Sequence, residues 1–363
     1  MVSTLLRGFK EQYADARTAF LAAAGSRGAT LEAIEHPMKG PDGGCLSTDL
    51  AWIGPRDATK VLLVMSGTHG VEGLCGSACQ IDWLLLERTL PTDVAVLMVH
   101  LINPYGTAWE QRGTEDHVDL NRNFVDHDAP YRATPLYDKL HDAFLCPERS
   151  GPARRAAEAT IAAFRAEHGE QGYAQTVFGG QYSHPNGLNF GGHAPTWSNR
   201  CLLAISRRYL DRARHVVLLD YHTGLGPFGY ASLILFANRL DPVHARAESW
   251  FGSTVMPVGG PDVIPILGHT GHGLQVALPD TEVTPITVEF GTFDVETECR
   301  VVVDDLWLKT HGDRKSEEGR RIKRALVDFF YPSSSDWREL IALRSRQVIA
   351  NALDGLAYRS IAA

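Results

Sequence analysis

The chain has 363 residues, of which 44% are hydrophobic, and its formal net charge is -8 at pH 7. This length allows one large α/β domain or two smaller domains, and the apolar content is sufficient to bury a core without disulfide or metal staples. Acidic and basic residues are interspersed and no basic stripe occurs, which argues against nucleic acid as the principal partner.

The sequence also argues against a membrane-spanning or secreted protein. No apolar run approaches the roughly 18 residues of a membrane span, and charged residues occupy the part of the N-terminus where a signal peptide needs an apolar centre. The six cysteines are scattered without a CxxC pair, which is typical of reduced thiols and not of a disulfide framework. We therefore predict a soluble, cytoplasmic protein without a membrane partner.

Residues 1–55 predict a helix followed by a β-hairpin. Apolar residues at helical spacing favour a helix over residues 4–24, and Gly25 is a typical C-terminal stop. The segments LEAIEH and CLSTDLAWIG flank GPDGG, a turn sequence in which several residues can adopt positive φ. We expect the two segments to pair across this turn.

Five short apolar runs follow, and they predict the central strands of a sheet: VLLVMSG, VAVLMVHLI, HVVLLDYHT, ASLILFA and TPITVEFG. Such nearly continuous runs are typical of strands that are covered on both faces. Helical patterns fill most of the other segments, at residues 72–88, 135–144, 153–168, 198–213, 295–309, 317–330 and 337–352. This order predicts an α/β fold with a mixed, mainly parallel twisted sheet and helices on both faces.

One segment, residues 169–197, differs from the rest in composition. It is rich in glycine, aromatic residues and polar amides, and a long irregular stretch of this kind in a compact domain is usually functional or mobile. Because the strand and helix patterns on both sides belong to one sheet, we interpret the segment as an active-site loop and not as a linker.

The motif SGTHGVEG follows the first apolar run and places His69 three residues before Glu72. Catalytic zinc is usually held by three protein ligands that donate nitrogen or oxygen, and both side chains of an HxxE pair on a strand-to-helix turn can reach one ion. The alternative is that His69 forms a local hydrogen bond and that Glu72 only stabilises the helix N-terminus.

A third ligand is available at the end of another predicted strand, where HVVLLDYHTG contains Asp220 and His222. Functional groups of open α/β sheets gather at the carboxyl ends of the strands, so His222 is expected near His69. Asp220 could itself reach the ion or could instead orient a ligand imidazole, as metal sites usually require. The alternative for His222 is a histidine at the solvated entrance of a loop.

Charged side chains in two further motifs complete the candidate site. Glu289 ends the apolar run TPITVEFG, where a buried carboxylate needs either a partner or a catalytic role, and general base is the role that fits. The loop around DLNRNF carries Arg112, Asn121 and Arg122, whose guanidinium and amide groups are suited to binding a carboxylate. The alternatives are a salt bridge for Glu289 and surface arginines that only hold the loop.

The order of these motifs resembles that of the M14-type zinc carboxypeptidases. Within that superfamily, SGTHGVEG, INPYG, DLNRNF, DYHTGLG and VEFGT are most similar to the bacterial branch grouped as domain of unknown function 2817, DUF2817. The resemblance spans residues 61–293 and implies a single metallopeptidase domain over residues 1–363. It also implies one zinc ion per chain, held by His69, Glu72 and His222.

The same resemblance implies roles for the remaining residues. Glu289 would be the catalytic base, and Arg112 would polarise the scissile carbonyl and stabilise the oxyanion. Asn121 and Arg122 would bind the free carboxylate of the scissile residue. The implied activity is that of a carboxypeptidase on small peptides. An N-acyl amino acid deacylase of the aspartoacylase type would use the same site, and a catalytically silent binding protein is a third hypothesis.

Three features extend or depart from the family pattern. Residues 125–197 form an enlarged region that would reshape or cover the cleft. No tyrosine matches the one that family members place over the substrate, and Tyr182 and Tyr230 are the candidates. The stretch LGHTGHGLQ, which contains His269 and His272, is interpreted as a mobile glycine-rich loop near the cleft.

Overall fold

The computed structural model of the protein describes residues 4–86, 88–130, 133–258 and 263–358. Within these ranges, eight strands form one sheet in the order β1-β2-β4-β3-β5-β8-β6-β7. The strands are β1 Thr30–Lys39, β2 Cys45–Ile53, β3 Lys60–Met65, β4 Val94–His100, β5 His215–Gly224, β6 Ala231–Leu235, β7 Val255–Pro257 and β8 Glu282–Gly291.

The centre of the sheet is parallel and its flanks are mixed. Strands β4, β3, β5 and β8 run parallel to one another. The hairpin of β1 and β2 adds antiparallel pairs on one side, and β6 pairs antiparallel with β8 on the other. The predicted mixed, mainly parallel sheet and the predicted hairpin are therefore confirmed.

Helices cover both faces of this sheet. They are α1 Tyr13–Ser26, α2 Gly73–Leu85, α3 Pro104–Ala108, α4 Pro135–Phe144, α5 Pro152–Phe178, α6 Trp197–Tyr209, α7 Pro242–Phe251, α8 Thr270–Ala277, α9 Val295–His311, α10 Glu317–Phe330 and α11 Ser335–Tyr358. In the described part of the chain, no helix combines the length and the apolar character needed to cross a membrane. Of the predicted helix over residues 72–88, α2 covers most, and Glu87 lies outside the described residues.

Two apolar layers sandwich the strands. Successive side chains of a strand point to opposite faces, so Leu62 belongs to the layer under α1, α2 and α11, and Leu63 belongs to the layer under α6 and α8. The first layer is centred on Trp83 and Trp337, which are almost fully buried. Burial on both faces explains why the central strands read as continuous apolar runs.

The structure corrects the predicted N-terminal helix over residues 4–24. A short 3-10 turn, Thr4–Leu6, is followed by a break, and α1 begins only at Tyr13. The break lets Phe9 pack beside Tyr331, with the ring centroids 6.2 Å apart. Tertiary packing thus interrupts a helical pattern that the sequence presents as continuous.

Two segments that were predicted to be loops contain helices. Residues 169–178 extend α5 beyond a non-helical Gly169, because Tyr173 and Val177 are four residues apart and pack on the same apolar cluster. The stretch LGHTGHGLQ forms α8, not a mobile loop. Its Gly273 is required by close packing, since a Cβ atom there would lie 2.2 Å from Cδ1 of Phe124.

An ion pair joins two helices of the first layer, α2 and α11, and its contribution to stability can be measured. Asp82 of α2 is buried and accepts two hydrogen bonds from Arg346 of α11, at 2.7 Å each. Arg346→Met would leave a buried carboxylate without its partner, and we expect the free energy of unfolding in urea to fall by about 2–3 kcal/mol.

The control for this prediction is Arg324→Met, which removes an exposed arginine from α10 and should change the unfolding free energy by less than about 0.5 kcal/mol. Equal stability of the two variants would contradict a stabilising role for the buried pair.

Candidate metal centre

The register of three parallel strands brings the predicted metal ligands to one edge of the sheet. Met65 at the end of β3 pairs with Asp220 of β5, and His222 of β5 pairs with Glu289 of β8. His69 follows β3 by four residues, and Glu72 lies in a 3-10 turn, Gly70–Glu72, that leads into α2. All these side chains therefore reach the carboxyl ends of the strands.

Glycine allows the turn after β3 to pack backbone against backbone. A Cβ atom on Gly70 would lie 2.0 Å from the carbonyl carbon of Gly106, so no larger residue fits at that position. The amide of Gly70 donates to the carbonyl oxygen of Arg112 at 3.0 Å. This contact fixes the HGVE turn against the segment that carries Arg112.

Three buried side chains meet at this edge in an arrangement suited to a metal ion. The possible ligand atoms of His69, Glu72 and His222 all lie within 4.8 Å of one another. Nδ1 of His69 is 2.9 Å from Oε1 of Glu72, and Nδ1 of His222 is 3.3 Å from Oε2 of Glu72. The two Nδ1 atoms are 3.1 Å apart.

Each imidazole contacts a second carboxylate through its other nitrogen. Nε2 of His69 lies 3.0 Å from Oδ1 of Asp119, and Nε2 of His222 lies 3.0 Å from Oδ2 of Asp220. The contact of His69 has hydrogen-bond geometry, whereas Nε2 of His222 lies close to Asp220 without forming a hydrogen bond. Metal-binding histidines usually carry their proton on the nitrogen that faces a carboxylate, which is Nε2 in both residues.

The chemistry of the donor set tests the metal fit. With both ring protons on Nε2, each Nδ1 offers a lone pair, and the two Nδ1 atoms lie 3.1 Å apart. A donor set of two imidazole nitrogens and one carboxylate suits zinc, and Co²⁺ or Mn²⁺ are also compatible with it. The residues present therefore fit a divalent metal ion.

Hydrogen bonds from outside the donor set hold both carboxylates in place. The amide of Thr223 donates to Oε2 of Glu72 at 2.9 Å. Asp220 accepts hydrogen bonds from the hydroxyls of Thr68 and Thr270, at 2.8 and 2.6 Å. The sequence predicted Asp220 as the residue that orients a ligand, and the structure places it in contact with His222.

The electrostatics of the buried carboxylates follow from their surroundings. Burial favours the neutral acid at Glu72, but in the absence of a metal ion the positive charges of protonated His69 and His222 outweigh burial and lower the pKa of Glu72 well below its ordinary value. For Glu289, burial dominates and the charge of Glu72 adds to it, so that its pKa is raised to about 8 although His222 opposes the shift. Such a carboxylate has an affinity for protons close to that required of a general base near neutral pH.

The two predicted arginines are held in different ways. Arg112 donates to Oε1 of Glu72 at 2.9 Å and to Oδ2 of Asp119 at 3.3 Å, so it supports the ligand set directly. Arg122 is buried, and its Nη1 donates to the carbonyl of Asn121 at 3.0 Å. Its Nε finds no hydrogen-bond partner among the described residues.

A neighbouring 3-10 turn, Leu120–Arg122, positions Asn121. The carboxylate of Asp119 caps this turn by accepting the Asn121 amide at 2.9 Å. The side-chain oxygen of Asn121 accepts a hydrogen bond from the Thr270 amide at 3.0 Å. The oxygen of the Asn121 side-chain amide is therefore engaged by α8, and the amide nitrogen takes no part in that contact.

A single cavity of about 490 Å³ contains all of the predicted site residues in its lining: His69, Glu72, Arg112, Asn121, Arg122, His222 and Glu289. The C-terminal part of α5 closes one side of this cavity with Ala174 and Phe178. The enlarged region of residues 125–197 thus contributes to the wall, as expected, although it does so with a helix.

The two tyrosine candidates lie elsewhere. The hydroxyl of Tyr182 donates to the backbone oxygen of Arg122 at 2.7 Å, and Tyr230 lies under the guanidinium of Arg344. Neither tyrosine lines the cavity. Nδ1 of His269 accepts a hydrogen bond from the backbone amide of His272 at 3.1 Å, and His269 thereby caps the N-terminus of α8.

Sequence reasoning missed Asp119 and the two threonines. Asp119 is part of DLNRNF and precedes Asn121 by two residues, but its contact with His69 depends on how two distant loops meet. Thr68 is adjacent to His69 in sequence and could have been noticed as a polar residue in the turn. No sequence signal connected Thr270 to the site.

Comparison with known proteins identifies a family. The sequence matches the family described as "Protein of unknown function (DUF2817)" over residues 9–344. No curated protein matches the chain.

Solved structures with similarity to the chain include the following three proteins. The succinylglutamate desuccinylase of Chromobacterium violaceum is 14% identical, covers 87% of this chain and 74% of its own, and has a TM-score of 0.37. An aspartoacylase family protein from Mesorhizobium loti is 16% identical, covers 84% of this chain and 69% of its own, and has a TM-score of 0.39. Thrombin activatable fibrinolysis inhibitor is 10% identical, covers 95% of this chain and 74% of its own, and has a TM-score of 0.45. None of these values is high enough to transfer a substrate to this chain.

The contact between Asp220 and His222 leads to a prediction about metal affinity. Asp220→Asn keeps the shape of the side chain but removes the charge that orients the imidazole, and we expect zinc to bind about 10- to 100-fold more weakly. Competition with a chromogenic chelator would measure the change.

Asp138→Asn is the matched control, because Asp138 of α4 lies 2.8 Å from Nε2 of His184 in a similar pair outside the cavity. An equal loss of zinc affinity in both variants would show that Asp220 has no specific role at the metal.

Proposed function

The chain belongs to the DUF2817 family, and we propose that it is a zinc-dependent hydrolase that cleaves an amide bond adjacent to a free carboxylate. The most direct form of this activity is a carboxypeptidase acting on small peptides. The observation that carries the proposal is that one cavity is lined by a buried His-Glu-His set, a carboxylate that is not part of that set, and two arginines.

His69, Glu72 and His222 would hold the metal ion. When bound, a divalent cation polarises a carbonyl oxygen and makes water a stronger nucleophile. The chain's own residues account for the rest of the chemistry.

Glu289 would move the proton. It lies opposite His222 in the β5–β8 register and is fixed by the amide of Leu225 at 3.2 Å. Its carboxylate would accept a proton from the water that attacks the carbonyl carbon. It would then return that proton to the amine nitrogen as the carbon–nitrogen bond breaks.

Arg122 and Asn121 would bind the carboxylate of the leaving amino acid. Arg122 lines the cavity, and its Nη1 and Nη2 each donate one hydrogen bond, to the carbonyl oxygens of Asn121 and Phe178. The second hydrogen on each of these nitrogens would donate to an anion at the cavity wall. Arg112 would stabilise negative charge on the carbonyl oxygen while it keeps its contacts with Glu72 and Asp119.

The side chain of the leaving residue would meet an apolar wall. Ile234, Phe236, Ile264 and Ile266 line the cavity together with Thr287. Ile234 is buried in β6 and Phe236 follows that strand, whereas Thr287 lies in β8 and the other two residues lie in the segment before α8. We therefore propose a preference for an apolar residue next to the scissile bond, such as leucine.

A variant of the proposed base separates metal binding from turnover. Glu289→Gln should keep one zinc ion per chain, because Glu289 is outside the His-Glu-His set, and should lower kcat by at least about 100-fold. Atomic absorption and a dipeptide hydrolysis assay would measure the two quantities.

Chelation of the wild-type enzyme should abolish hydrolysis, and added zinc should restore it. Full activity in a demonstrably metal-free sample, or an undiminished kcat in Glu289→Gln, would refute the mechanism. Because a deacylase would share the site, the assay should include N-acyl amino acids beside dipeptides.

Carboxylate binding by Arg122 is tested with paired substrates. Arg122→Lys keeps the charge but loses the planar donor geometry, and we expect kcat/KM for a peptide with a free carboxylate to fall by about 10- to 100-fold. The same peptide with an amidated C-terminus should react slowly with the wild type and equally slowly with the variant. A matching loss on both substrates would indicate a general structural defect.

A further inference from the structure

One carboxylate in the cavity has no role in the hydrolysis described above. Glu298 lies in the first turn of α9 and lines the cavity together with Val295 of the same helix. It is only partly exposed. Within the described part of the chain, neither a hydrogen bond nor an ion pair engages its side chain, whereas Glu72 and Glu289 both accept backbone hydrogen bonds.

The position of Glu298 places it on the acyl side of the scissile bond. Its charge acts on Arg112, the residue proposed to face the carbonyl oxygen. Besides burial, the groups that shift the pKa of Arg122 are Asp119, Arg112 and the phenol of Tyr182, and Glu298 is not among them. In the binding mode proposed above, Glu298 would therefore lie nearer to the carbonyl end of a substrate than to its carboxylate end.

A second distance locates the side chain relative to the proposed base. A Cβ atom added to Gly224 would lie 3.6 Å from Oε1 of Glu289 and 3.9 Å from Cδ of Glu298. The two carboxyl groups therefore flank the same backbone position. A substrate whose carbonyl carbon is within reach of Glu289 would therefore also lie close to Glu298.

We propose that Glu298 is a specificity-determining residue that binds a free ammonium group on the acyl side of the substrate. This inference rests on the hydrolase function proposed above. In a dipeptide the α-ammonium nitrogen is two bonds from the scissile carbonyl carbon, and it is charged near pH 7. An N-acyl amino acid has no charged group at that position, which is a methyl carbon in an N-propionyl amino acid, so Glu298 selects dipeptides over N-acyl amino acids.

The electrostatics of Glu298 are consistent with this role. Burial raises its pKa to about 7, and Arg112 only partly offsets that effect. A buried carboxylate without a partner is costly, and an incoming ammonium group would supply the missing cation together with a charge-assisted hydrogen bond.

Two substrates of nearly equal shape isolate the ammonium group. Glycyl-leucine and N-propionyl-leucine differ only in that an ammonium group replaces a methyl group. With the zinc-loaded wild type, we expect kcat/KM to be about 10- to 100-fold higher for glycyl-leucine. Glu298→Gln should lower the value for glycyl-leucine by a similar factor, and it should leave N-propionyl-leucine unchanged within about 3-fold.

Glu296→Gln is the matched control. Glu296 is an exposed carboxylate in the same first turn of α9, so this variant removes the same charge from the helix N-terminus without altering the cavity. Both substrates should be unaffected by it. The inference would be overturned if Glu298→Gln lowered kcat/KM equally for the two substrates, or if the wild type showed no preference for glycyl-leucine.

Binding measurements separate this inference from the proposed hydrolysis. Calorimetry with zinc-loaded Glu289→Gln should show tighter binding of glycyl-leucine than of N-propionyl-leucine, and Glu289→Gln/Glu298→Gln should lose that difference. If the wild type hydrolyses neither compound, the hydrolase proposal fails, and the calorimetric difference still decides whether Glu298 binds the ammonium group. Equal binding of both compounds to Glu289→Gln would refute it.

Discussion

The register of β3, β5 and β8 is the constraint on which the candidate site depends. Because successive residues of a strand point to opposite faces, a shift of one residue would move every side chain to the wrong side. The observed pairing places Asp220 opposite Met65 and Glu289 opposite His222. Burial of apolar residues on both faces of the sheet fixes this register, so the core that stabilises the fold also sets the distance between the proposed ligands and the proposed base.

The charges around the two imidazoles favour a bound divalent cation, as the positions of the ligand atoms also do. Three carboxylates contact these rings, those of Glu72, Asp119 and Asp220. One guanidinium, that of Arg112, pairs with two of them. With both imidazoles neutral, a divalent cation would make this buried group electrically neutral. Without that cation, protonation of the imidazoles would have to offset the buried negative charge, which is costly in a low-dielectric interior if it is left uncompensated.

The sequence was sufficient for the parts of the fold and site that depend on local pattern. Apolar runs covered on both faces located the central strands, and each proposed ligand follows or ends such a run. Local pattern could not reveal α8, because its glycines lower helix propensity and Gly273 is explained only by its contact with Phe124. The contact between Asp119 and His69 was equally hidden, since the two residues are 50 positions apart. Sequence reasoning therefore identified the groups that would do chemistry more readily than the groups that hold them.

Thr270 connects the two ends of the cavity. Its amide donates to Asn121 and its hydroxyl donates to Asp220, at 3.0 and 2.6 Å. One residue thus fixes the proposed carboxylate-binding group relative to the residue that orients His222. The hydrogen bonds of α8 thus hold a residue at each end of the candidate site, even though no residue of α8 takes part in the proposed chemistry.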